Sequence, residues 1–104
     1  MAFHVVARTD ELWEGELRSV LVGGRRVVLV RKGDDVAAFE DRCAHLGVPV
    51  SGGRLTGGVI TCGAHHWQYD AATGCGVNPK SAALKRLPAR VRDGQIEVEV
   101  DGST

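Results

Sequence analysis

Two short pairs of potential metal ligands, Cys43-Ala44-His45 and Cys62-Gly63-Ala64-His65, constrain this chain more than any other feature. Sixteen residues, Leu46 to Thr61, separate them. Each pair supplies one thiolate and one imidazole. Thiolate sulfur suits iron–sulfur centres, zinc and copper(I), while imidazole suits zinc, copper and iron. Two readings of the four residues stay open on these grounds. One is a structural zinc ion held by two Cys and two His; the other is a pair of adjacent irons. A single residue between Cys43 and His45 makes a tight chelate for one ion, because zinc frameworks usually place two or more residues between paired ligands. The spacing is natural if the pair serves two neighbouring irons. Unrelated buried cysteines and surface histidines would require four coincidences in a chain with only three Cys and four His.

The punctuation around these pairs is that of β-hairpins. Gly23-Gly24 divides Leu17–Val22 from Arg25–Val30, and Gly33-Asp34 divides that run from Asp35–Phe39. Gly57-Gly58 lies between Arg54–Thr56 and Val59–Thr61, and Asp93-Gly94 between Arg90–Arg92 and Gln95–Val100. Such dipeptides supply the positive φ angles that two-residue hairpin turns demand. Ile96, Val98 and Val100 alternate with Glu97 and Glu99, the period of a strand with one wet face. No long stretch keeps a helical period. Thr9-Asp10-Glu11-Leu12 could cap one turn, and Pro79 to Leu87 could hold another. The expected fold is all-β: a small antiparallel sandwich or barrel, one domain over residues 1–104, with the ligand-bearing part at about 41–80. Both ligand pairs then sit on loops at hairpin ends, offered by a rigid scaffold.

A chain of 104 residues has room for one modest core, and a metal centre between two loops would staple it. Zero net charge gives no footprint for nucleic acid or a membrane surface. The N-terminus lacks a basic segment followed by a long apolar one. The longest aliphatic run, Val27 to Val30, is far too short to span a bilayer. Cys75 stands outside both pairs without a partner. An odd thiol and no export signal favour a reducing compartment, so the expectation is a soluble, cytoplasmic protein.

Cys-x-His followed by Cys-x-x-His resembles the Rieske family, in which two Cys hold one iron of a 2Fe–2S cluster and two His the other. The resemblance implies one such cluster, with Cys43 and Cys62 on the inner iron and His45 and His65 on the outer one. These four are then both the cofactor-binding and the metal-ligating residues, and no catalytic residue is implied. Gly47 and Gly63 would let the loops turn backbone N–H groups toward the cluster sulfurs, stabilising the reduced form. Respiratory-chain members carry a membrane helix and a disulfide between the two loops. Val48 and Ala64 stand at the corresponding positions here, so the resemblance implies neither.

Gly57 to Tyr69, followed by Thr73-Gly74-Cys75-Gly76-Val77-Asn78-Pro79, narrows the likeness. With Leu12-Trp13-Glu14-Gly15-Glu16, it is similar to the ferredoxins of toluene-monooxygenase-type multicomponent di-iron monooxygenases. That likeness implies an electron shuttle in aromatic or alkene hydrocarbon catabolism: a monomer and not an enzyme. It would take electrons from an NADH-dependent flavoprotein reductase and deliver them to the hydroxylase component of an oxygenase. A Rieske aromatic-ring dioxygenase ferredoxin and the small Rieske subunit of a nitrite reductase are the alternatives. A zinc-stapled interaction module is a remote third.

Some positions depart from the pattern or lie outside it. Tyr69 stands where high-potential members have a Tyr bonded to a cysteine sulfur, but Trp67 occupies the position of their serine. His66 reads as a non-ligand and Cys75 as a small packing residue. Leu46, Val48, Pro49, His66 and Pro79 would form an apolar patch around the cluster tip.

Overall fold

The computed structural model describes residues 2–33, 35–42, 49–63 and 66–100. Along the chain the strands are β1 (Ala2–Arg8), β2 (Leu17–Val22), β3 (Arg25–Lys32), β4 (Asp35–Glu40), β5 (Arg54–Thr56), β6 (Val59–Thr61), β7 (Gln68–Asp70), β8 (Gly76–Asn78), β9 (Arg86–Leu87), β10 (Ala89–Arg92) and β11 (Gln95–Val100). They form three antiparallel sheets, ordered β1-β11-β10, β2-β3-β4-β9 and β5-β6-β7-β8. The expected all-β antiparallel architecture is the one observed.

The run Val27 to Val30 explains why there are three layers. All four side chains are buried, although successive residues of a strand point to opposite faces. Val28 and Val30 pack with Phe39, Val50, Ile60, Cys62 and Tyr69. Val27 and Leu29 pack instead with Leu12, Ala38, Leu87, Ile96 and Val98. The β2-β3-β4-β9 sheet is therefore the middle layer, covered on both faces. The third sheet is an excursion between β4 and β9, and the ligand pairs lie within it.

The hairpin turns follow the glycine signals. Gly23 and Gly24 have φ of 58° and 82°, and Asp93 and Gly94 have 52° and 73°, the pattern of turns with two left-handed central residues.

Local expectations fared differently. A 3-10 turn forms at Thr9–Glu11, but Arg8 is its N-cap and Thr9 is not. The Arg8 N–H donates to the Glu11 carboxylate at 2.8 Å, and the Thr9 hydroxyl donates to Gly94 O at 3.2 Å. Pro79 to Leu87 holds one hydrogen-bonded turn, Ala82 N–H donating to Pro79 O at 3.2 Å, and no longer helix, because the residues around it bond to other segments. Gly76 N–H donates to Ala82 O and Leu84 N–H to Gly74 O. Glu40 N–H donates to Lys85 O, and Arg86 and Leu87 pair with β4. Cys75 is exposed rather than packed.

Candidate metal centre

The second ligand loop begins where β6 ends. Thr61 opposes Gln68 in the ladder, and Cys62 follows, fully buried beside Tyr69 and Phe39 in the core. Two backbone bonds close the loop: Cys62 N–H donates to Trp67 O at 2.7 Å, and His66 N–H donates to Cys62 O at 3.0 Å. The chain reverses through His66, whose φ is 59°. A left-handed residue other than glycine costs about 1–2 kcal/mol, so the rest of the loop must over-determine it. Gly63, expected to let the loop turn backbone N–H groups toward the cluster sulfurs, is not among the positive-φ glycines. Its lack of a side chain serves close approach, since a Cβ there would lie 3.3 Å from the carbonyl oxygen of Gly52.

The first ligand loop leaves β4 and returns at Pro49. Asp41, on the outgoing stem, is the one buried charged residue among those described. Its carboxylate accepts the Ser51 backbone N–H at 2.8 Å and the Ser51 hydroxyl at 2.7 Å. Asp41 N–H donates to Arg26 O at 3.0 Å, which ties the stem to β3. The returning stem turns through a short 3-10 helix, Val50–Gly52, with Val50 buried in the core. Gly53 then passes so close to the end of β6 that a Cβ would collide with the carbonyl oxygen of Thr61. The bases of the two loops are thus in contact through Gly52, Gly53, Thr61 and Gly63.

Of the four expected ligands, only Cys62 falls within the described residues. Cys43, His45 and His65 lie outside them, as do Leu46, Gly47, Val48 and Ala64. What the fold shows is a buried thiol at the mouth of one loop and a clamped stem for the other, joined at their bases. Two Cys and two His at this spacing in the sequence suit a mixed thiolate–imidazole cluster. Among the described residues, no other group of three or more His, Cys, Asp or Glu could hold a metal.

Comparison with known proteins decides between the readings. The sequence model of the Rieske 2Fe-2S domain matches residues 2–88. The chain belongs to the Rieske family. As a Rieske protein it has a 2Fe–2S cluster as its cofactor. It is 36% identical over 92 residues to the ferredoxin component of the alkene monooxygenase system of Xanthobacter autotrophicus (strain ATCC BAA-1158 / Py2), covering 88% of this chain and 75% of that one. The ferredoxin of carbazole 1,9a-dioxygenase from Nocardioides aromaticivorans IC177 superposes with a TM-score of 0.89 at 26% identity. That match covers 97% of this chain and 100% of the other. A chain in the complex of reduced oxygenase and oxidized ferredoxin in carbazole 1,9a-dioxygenase gives 0.84 at 28% identity, covering 95% and 97%.

The Asp41–Ser51 clamp and the Gly53 approach were missed in the sequence of this Rieske protein. The only hints were a carboxylate two residues before Cys43 and the unassigned Gly52-Gly53 dipeptide. Neither named its partner.

Proposed function

We propose that Cys43 and Cys62 hold the inner iron and His45 and His65 the outer iron of the cluster. A cluster held this way takes up and gives back a single electron. The chain's own contribution is to bury Cys62, to clamp the first loop through Asp41, and to bring the two loops together without intervening side chains. The loop bases are thereby held in place, which limits their rearrangement when the charge changes.

The protein carries electrons to an oxygenase and is not itself the catalyst. The observation that supports this most directly is likeness along most of the chain to proteins named as ferredoxin components of oxygenase systems. An oxygenase docks with one such ferredoxin in the carbazole system. For this chain we infer an NADH-dependent flavoprotein reductase as electron donor and a di-iron monooxygenase hydroxylase as acceptor. It works as a monomeric carrier, one unit over residues 1–104, in the reducing cytoplasm. Among the described residues no helix is long and apolar enough to cross a membrane.

Two measurements test this reading. The purified protein should be brown and give the electron-paramagnetic signal of a mixed-ligand 2Fe–2S cluster once reduced; a colourless zinc protein would end the carrier assignment. Reconstitution with reductase and hydroxylase should support NADH-dependent hydroxylation. Turnover only with a Rieske dioxygenase would move the chain to that class of partner.

A further inference from the structure

The chain has no net charge, yet the fold separates its charges along the strands. Arg25, Arg26, Arg42 and Pro49 line one surface hollow with Glu40 and Asp41, at the two stems of the first ligand loop. Glu40 lies 3.8 Å from the Arg25 guanidinium, and Asp41 is engaged by Ser51. Arg26 and Arg42 are exposed, and neither forms an ion pair among the described residues. Arg54, also exposed, opposes Thr61 at the base of the second loop. Lys80 is at the same end, just beyond Asn78, which pairs with Gln68. The segments 43–48 and 64–65 contain no carboxylate to offset these charges.

The opposite end is acidic. Glu14 and Asp35 line a cavity there with the Gly57-Gly58 turn, the end of the β5–β6 hairpin away from Cys62. Asp70 opposes Val59 beside that turn. Asp10, Glu11 and Glu16 belong to the connection from β1 to β2, which is tied to this end by Arg31 donating to Thr9 O and Leu12 O. Arg8, Arg18 and Arg31 stand against these acids and leave them in excess.

We propose that Arg26, Arg42 and Arg54 form a basic collar that steers the cluster-bearing end onto an acidic patch of the oxygenase component. The proposal rests on the carrier role argued above. A charge asymmetry along the molecule turns the correct end toward an oppositely charged partner during encounter, and such steering raises association rates by about 10–1,000-fold at low salt. Pro49, exposed in the same hollow, supplies apolar contact beside the charges, as in a small interface that releases quickly. Guanidinium groups pair with carboxylates through two parallel hydrogen bonds, which adds register to attraction.

The test is stopped-flow oxidation of the reduced holoprotein by a purified hydroxylase component of a di-iron monooxygenase, at low and high salt. The second-order rate constant is read separately from the limiting first-order rate. For the wild type the second-order constant should fall about tenfold or more as salt rises. A triple Arg26→Glu, Arg42→Glu, Arg54→Glu variant with an unchanged visible spectrum should be slower by about tenfold at low salt and converge with the wild type at high salt. The corresponding Arg→Lys triple should keep the wild-type constant. If charge reversal prevents cluster loading, the Arg→Gln triple takes its place. Transfer that ignores both salt and the collar, or that quickens on charge reversal, overturns the collar and leaves the carrier role standing. No transfer from the wild type at any salt overturns both.

Discussion

The Asp41 carboxylate accepts two hydrogen bonds from one residue, Ser51, at 2.8 Å from its backbone N–H and 2.7 Å from its hydroxyl. The two residues lie on the outgoing and returning stems of the loop that carries Cys43 and His45. This contact joins the two stems of that loop. Hydrogen bonds to a charged acceptor are worth more than neutral ones. Asp41→Ala should therefore lower stability by about 3 kcal/mol. It should also speed loss of the visible spectrum to a chelator. Asp41→Asn, which keeps one acceptor oxygen, should fall between. Equal unfolding midpoints and chelation rates for all three proteins would mean that the clamp does nothing.

Gly52 and Gly53 are adjacent, and the fold gives them opposite tolerance. A Cβ on Gly52 meets nothing within 4 Å, whereas one on Gly53 runs into the backbone of Thr61. Relief requires the two loop bases to part. Gly53→Ala should cost about 3 kcal/mol or more and impair cluster assembly, and Gly52→Ala should be nearly silent. Thermal unfolding together with iron content per chain distinguishes them; similar behaviour of the two variants would contradict the close approach.

The two described cysteines should differ in the same way. Cys62 is buried in the core and Cys75 is exposed. Cys62→Ser, like Cys43→Ser, should abolish the cluster and destabilise the fold, because metal binding and folding are coupled. Cys75→Ser should leave the spectrum and the iron content unchanged. Survival of the cluster in Cys62→Ser with loss in Cys75→Ser would reverse the ligand assignment.

Redox potential tests the surroundings of the sulfurs. Hydrogen bonds to them stabilise the reduced cluster, and Rieske centres span about −150 to +300 mV according to that environment. Trp67 brings no hydroxyl to the position of the high-potential serine, and no loop disulfide is possible between Val48 and Ala64. The midpoint should therefore lie in the lower part of the range, below about +100 mV. Tyr69 is buried in the same cluster of side chains as Cys62, so Tyr69→Phe should shift the midpoint modestly downward. A wild-type value well above that bound, by protein-film voltammetry, would contradict this account.

Much of this protein was legible before any coordinate. The Cys–His spacing pointed to the cofactor because ligand identity and chelate size are local chemistry, written in adjacent residues. The hairpins were legible for the same reason: Gly23-Gly24, Gly57-Gly58 and Asp93-Gly94 carry their φ requirement with them. Strands without such a signal were not. The ladder of β1 with β11 shifts register between Val5 and Ala7, and β8 has only three residues, so neither shows a clean alternation.

By itself the sequence determined the cluster type, the all-β class and the membership of one electron-carrying family. Only the tertiary structure decided which residues hold the ligand loops in place. Asp41 finds Ser51, and Gly53 finds Thr61, across intervals that no local pattern spans. It also decided where the charges go. A net charge of zero says nothing about their distribution, because that depends on strand direction and register. Pairing β3 with β4 and β5 with β6 sends Arg26, Arg42 and Arg54 to one end and Glu14 and Asp35 to the other. Residues far apart in the chain come to share one field because packing, and not sequence proximity, sets their distance.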